Sequence, residues 1–150
     1  MRKLLTTFIG FALALGSVDV RAAQAPLTQK QLKSQSELIV AGKVVAIASR
    51  VKKSRVERAF GIHRDRVFTL TIKVASISKG TGAKSDQEIR VVAWQPVVRI
   101  PRLPGPQGHG PIPGEGDSVT VYLNWNKVGK FWEPIHPNGI EIHTDAKRSR

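Results

Sequence analysis

The sequence predicts an all-β domain with small α content: five strands closed into a small Greek-key barrel, one short helix before them, and a long Pro/Gly-rich loop between the third and fourth strands. Three observations predict it. Apolar residues alternate with polar ones in several short runs, the period of a half-buried strand. Glycine, asparagine and lysine clusters punctuate those runs. Residues 95–116, QPVVRIPRLPGPQGHGPIPGEG, hold six of the nine prolines, a density that no helix or central strand accepts because proline lacks the amide donor.

In chain order, Thr28 followed by Gln31, with Leu27 before and Leu32 after, reads as a capping box with a hydrophobic staple, so a short helix is expected near residues 29–36. From residue 37, ELIVAGKVVAIAS is rich in β-branched residues, and its Gly42 suits a bulge or a bend. One long curved strand is expected there. Over residues 66–78, Phe68, Leu70, Ile72 and Val74 share one face and Thr69, Thr71 and Lys73 the other. The phase then slips, because Ile77 rather than Ser76 is apolar, which predicts a bulge near Ala75. EIRVVAW (88–94) and DSVTVYLNW (117–125) supply the third and fourth strands. A tight turn at Asn126-Lys127-Val128-Gly129 leads to a fifth strand over 130–133, Asn138-Gly139 is a hairpin signal, and residues 140–143 are a candidate final strand. Trp125 continues the apolar face of its strand and is expected in the core.

The chain opens with Arg2 and Lys3, an apolar run over 4–15 and small residues before Pro26, the layout of a secretory signal peptide. The run is shorter than the roughly 20 residues of a membrane span. Cleavage is expected after Ala22, with Ala25 as the other site that fits, leaving one domain over residues 26–146 and a basic tail over 147–150. Removing residues 1–22 leaves 21 basic and 10 acidic residues, a net charge of +11. With no cysteine the exported domain has no disulfides and depends on apolar burial alone. A periplasmic or extracellular location follows, and no mature segment has the apolar helical face that membrane insertion needs.

Short helix, long bent strand, basic loop, strand ending in Lys79-Gly80, strand, long connection, strand, tight turn, strand: this order fits the oligonucleotide/oligosaccharide-binding (OB) superfold. SELIVAGKVVAI, VFTLTIKVASISKGTG, EIRVVAW and GDSVTVYLNW together resemble the netrin-like, tissue-inhibitor-of-metalloproteinase-like branch of that superfold, as found in exported bacterial domains. The resemblance covers residues 37–133 and implies the fold. It implies no zinc chelation, because animal inhibitors of that family act through an N-terminal cysteine and this chain has none.

Residues 50–66, RVKKSRVERAFGIHRDR, carry seven basic side chains and two acidic ones. In OB folds the loops after the first and fourth strands flank the ligand groove. The first brings Arg50, Lys52, Lys53, Arg55, Arg58, Arg64 and Arg66, with Phe60 near its tip. The second brings Lys127 and Lys130 beside Trp132. Cations release counterions from a polyanion while rings stack on its flat faces, so the expected function is non-enzymatic binding of an acidic polymer (acidic glycan, envelope polyanion or extracellular nucleic acid) or an acidic protein surface. The alternative is a protein-interaction or protease-regulating module acting through residues 95–116. Solvated loops are rich in the same cations, and charge alone names no partner. His63, His109, His136 and His143 show no metal-ligand spacing and read as surface or turn residues, so neither a metal nor a cofactor is expected. No nucleophile elbow, phosphate-binding glycine pattern or isolated carboxylate pair supports catalysis.

Overall fold

A computed structural model describes residues 25–54, 61–102 and 107–143. The proposed signal peptide, Arg55, Arg58, Phe60 and the basic tail lie outside the described residues. Helix α1 (Gln29–Gln35) precedes strands β1 (Leu38–Lys53), β2 (Ile62–Lys79), β3 (Glu88–Ile100), β4 (Ser118–Asn126), β5 (Phe131–Pro134) and β6 (Ile140–His143). The fold is mostly β with one short helix, as the alternation predicts.

The five main strands form a closed ring. β1 pairs antiparallel with β2, β2 with β3, and β4 with β5; β3 meets β5 in parallel at Val91 and Trp132, and β4 returns to β1 over Leu38–Lys43. β6 pairs with Ser118–Val121 of β4, and β5 with Leu123–Asn126. The Asn138-Gly139 pair therefore does not close a hairpin between β5 and β6. Instead the Asn138 side chain brackets Leu27, accepting from its N–H at 2.9 Å and donating to its carbonyl at 2.8 Å, which ties the start of the domain to the β5–β6 connection.

Residues pointing into the ring alternate along each strand and make one core: Leu38, Val40 and Val44 of β1, Leu70, Ile72 and Val74 of β2, Val91 and Ala93 of β3, and Val119, Val121 and Leu123 of β4. A second, smaller cluster lies outside the ring, where Leu32 and Leu27 meet Ile39 of β1 and Tyr122 of β4. Both faces of β1 and β4 are thus buried beside α1, which is why LIV and VYL read as continuous apolar runs rather than alternating ones. Thr28 caps α1 and Gln31 returns the bond to the Thr28 amide. Leu27 packs with Leu32 as the staple pattern requires, and burying Leu32 contributes about 2 kcal/mol.

The expected bulge is present: Ala41 pairs with Ser76 and Gly42 with Val74, so Ala75 has no partner on β1. Gly42 stands at that step because a methyl group there would overlap the Lys73 carbonyl oxygen. Two strands extend beyond the sequence reading. β1 and β2 continue through the basic stretch to Lys53 and from Ile62, and β3 runs through Pro96 to Ile100. Pro96 is tolerated because, among the described residues, this part of β3 pairs only with β2, at a register shift between Arg64 and Asp65, leaving the other edge without a ladder to break.

Candidate functional site

The stretch expected to be a basic loop is a ribbon of two strands, with only residues 54–61 between them. Arg50, Lys52 and Lys53 lie on β1 and are exposed; Arg64 and Arg66 lie on β2. The ladder sets Arg50 opposite Val67, Val51 opposite Arg66, Lys52 opposite Asp65 and Lys53 opposite Arg64. Period-2 geometry then puts Arg50 and Lys52 on one face and Val51, Lys53, Arg64 and Arg66 on the other. Arg64 is half-buried, with Nη1 donating to the His63 carbonyl at 3.0 Å.

Arg99, which the sequence reading passed over, holds this ribbon to the rest of the molecule. Its Nη2 pairs with the Asp65 carboxylate, Nη1 donates to the carbonyls of Arg64 at 2.8 Å and Val98 at 2.9 Å, and Nε donates to Gln107 Oε1 at 2.8 Å. Both charged side chains are nearly buried, 10% and 12% exposed. The available signal was the run of β-branched residues in VVRI after Trp94, which the flanking prolines obscured.

At the other basic segment, Lys127 and Lys130 are exposed in the turn after β4. The turn closes through the Gly129 amide donating to Asn126 Oδ1 at 2.8 Å and the Lys130 amide to the Asn126 carbonyl at 2.8 Å. Trp132 pairs across the ladder with Trp125, ring centroids 5.0 Å apart and planes at 64°. Trp125 is 39% exposed, contrary to its expected place in the core: its strand has by then passed the start of β1, whose pairing with β4 ends at Leu123 opposite Leu38. The Arg90 guanidinium lies 5.9 Å from the centre of the Phe131 ring. Together Trp125, Phe131, Trp132, Arg90, Lys130 and Glu88 line an open cleft of about 250 Å³. Its floor needs Gly82, because a methyl group there would overlap the Trp132 indole. Gly82→Ala is expected to cost about 1–3 kcal/mol through overpacking and to shift tryptophan emission; unaltered emission and stability would show that the indole does not lie against this loop.

The two basic segments do not meet in one concave patch. β1 and β4 are antiparallel with Leu38 opposite Leu123, so the turn carrying Lys127 and Lys130 lies at the start of β1, while Lys52 and Lys53 lie at its far end, after sixteen residues of strand. The described cations of the two segments lie in two separate sites, an aromatic cleft and a cationic ribbon.

Two of the histidines, His63 and His109, differ from the expectation of surface or turn residues, while His136 lies in a turn and His143 on the surface. His63 and His109 are buried, His136 is half-buried and His143 is exposed. His109 accepts at Nδ1 from the Trp94 amide at 3.2 Å, and Nε2 faces the Pro134 carbonyl at 3.0 Å, so the neutral ring carries its proton on Nε2. Trp94 stacks on His136 at 6.0 Å and meets His109 edge-on at 5.9 Å. Burial holds the pKa of His109 below its usual value, helped by the nearby His136 and opposed by the Pro134 carbonyl. Burial lowers His136 too, against the Gly108 carbonyl. This cluster docks the returning limb of the Pro/Gly-rich segment onto β3 and β5. Among the described residues no three histidine, aspartate or glutamate side chains gather to hold a metal ion, and no helix is long and apolar enough to cross a membrane.

In comparisons with known proteins, no family model matches the chain, and no curated protein and no solved structure matches it.

Proposed function

We propose that the mature chain is an exported, non-enzymatic binding module of the OB type that takes an acidic polymer, such as an acidic glycan, an envelope polyanion or extracellular nucleic acid, in the cleft beside the β4–β5 turn. One observation carries this reading: Trp125, Phe131 and Trp132 share that cleft with Arg90 and Lys130. Rings supply stacking that tolerates any flat sugar or base, and cations supply the salt-dependent attraction. The ring order and the parallel β3–β5 contact support the OB type, and with it the netrin-like likeness at the level of fold. The basic start and short apolar run of the sequence support export. The cationic ribbon adds long-range attraction for the same class of ligand.

Titration of the purified mature chain with a heparin oligosaccharide tests the proposal. Trp125→Ala is expected to weaken binding about tenfold at every salt concentration, as loss of one stacking platform implies. Lys130→Glu is expected to weaken it and to flatten the dependence on salt. Lys130 is exposed, so that variant keeps its melting temperature, whereas Trp125→Ala gives up the ring pair with Trp132 and is expected to lose about 0.5–1.5 kcal/mol while remaining folded. Wild-type affinity in both variants would reject the cleft as the site.

A further inference from the structure

Among the described residues, the outer side of β1 is covered only in its first part. β4 pairs with it over Leu38–Lys43; Val44 then exchanges bonds with Asp117 and Gly116, its N–H donating at 2.9 Å and its carbonyl accepting at 2.8 Å. Val45 is bulged out of the β1–β2 ladder, since Val44 pairs with Ile72 and Ala46 with Thr71. The bulge shifts the alternation by one residue. Ile47 consequently turns its N–H outward, where the Glu115 carboxylate accepts it at 3.2 Å, and Ser54 turns inward to His63 at 2.9 Å. Between these two fixed points, Ser49 and Val51 present their N–H and carbonyl groups to the outside. Among the described residues no strand pairs with that edge, and residues 48–53 are all exposed.

The geometry points to this edge as an acceptor for an extended, alternately acidic and apolar peptide segment, which adds to the sheet as an antiparallel strand beside β1. Charge decides the occupant. A second copy of β1 would bring Arg50, Lys52 and Lys53 against themselves, the like-charge arrangement by which edge strands resist self-pairing. An acidic strand meets the same side chains favourably. The register decides the pattern. Residues whose peptide groups face the partner are hydrogen-bonded pairs in an antiparallel ladder, and those between them are the closer, non-bonded pairs. Ser49 and Val51 are of the first kind and, with Val51 52% exposed, favour an apolar residue opposite. Arg50 and Lys52 are of the second kind, on the other face, and favour glutamate or aspartate opposite. The chain's own Glu115 on the Ile47 amide is a carboxylate already seated at the start of this edge. Main-chain bonds then give affinity and the alternating side chains give specificity, the mode of recognition by strand addition. This surface is separate from the β4–β5 cleft and stands without it.

The probe is a capped heptapeptide of alternating glutamate and valine, titrated against the purified chain. Its valines should face Ser49 and Val51 through their peptide groups, so N-methylating the valines is expected to weaken binding at least tenfold, whereas N-methylating the glutamates leaves it unchanged. With three N-methyl groups in each, the two peptides have equal charge and composition, so equal binding by both, or no binding of the parent peptide, overturns the proposal. Val51→Pro removes the outward N–H without touching the β1–β2 ladder and should abolish binding; if that variant does not fold, the pair of methylated peptides on the native chain decides. Arg50→Glu with Lys52→Glu should transfer the preference to a lysine–valine heptapeptide. Trp125→Ala should leave peptide binding intact, which separates the fate of this edge from that of the cleft. A concentration-dependent dimer of the chain alone, dissolved by Val51→Pro, would assign the edge to a second copy and overturn the acidic strand.

Discussion

Arg99→Met is expected to lower the thermal midpoint by about 10 °C or more. The substitution leaves most of the side-chain volume in place but removes the guanidinium that pairs with Asp65 and bonds the Arg64 and Val98 carbonyls and Gln107. The Asp65 carboxylate, whose side chain is 12% exposed, is then left as a buried charge without its cation. Removing one partner of a buried pair typically costs about 3–5 kcal/mol, and in a domain of this size each kcal/mol moves the midpoint by about 3–5 °C. Replacing both partners, Arg99→Met with Asp65→Leu, is expected to recover much of the loss, since no orphaned charge remains. Calorimetry on the three variants checks the argument. If the double variant is as unstable as Arg99→Met alone, the cost comes from lost packing and not from the stranded carboxylate.

Acidification is expected to loosen the Pro/Gly-rich segment before the ring. His109 and His136 both have pKa values held below the ordinary 6.5, chiefly by burial. Above that value both rings are neutral whether the chain is folded or unfolded, and the cluster contributes its full stability. As the pH falls below 6.5 the unfolded chain takes up protons that the folded cluster refuses, so stability declines until the pH passes the folded values. Geometry agrees with this direction, because a proton on Nδ1 of His109 would face the Trp94 N–H that it now accepts. The thermal midpoint should therefore drop between pH 7 and pH 5, and amide exchange should rise first at His109 and Gly110, whose N–H groups bond Trp94 and Pro137. His109→Gln should lower stability at pH 7 by about 1–2 kcal/mol, through the lost bond to Trp94, and flatten the pH dependence. A wild-type midpoint that is constant over this range would refute the coupling.

Much of the ring was legible because its determinants are local. Phe68, Leu70, Ile72 and Val74 alternate with polar residues, and the slip of that phase marks Ala75, the residue the ladder leaves out. Thr28 and Gln31 announce the start of α1. The ribbon was not legible as strand because Arg50 to Lys53 are exposed on both faces: with no buried side to write an apolar period, strand and solvated loop look alike. Prolines concealed the end of β3, although an edge strand tolerates them. His109 sits among glycines and suits a surface or a turn equally, since nothing near it in sequence reveals that Trp94 and Pro134 close over it.

The amino-acid order by itself determined where strands alternate, where β2 bulges, how the helix starts and that the chain is strongly cationic, because each depends on neighbours a few residues apart or on a simple sum. The tertiary structure alone decided which cations share a surface. An antiparallel return of β4 onto the start of β1 carries Lys130 and Trp132 to one end of that strand and leaves Lys52 and Lys53 at the other. Pairing of strands eighty residues apart is a property of the closed sheet and has no trace in either segment's composition.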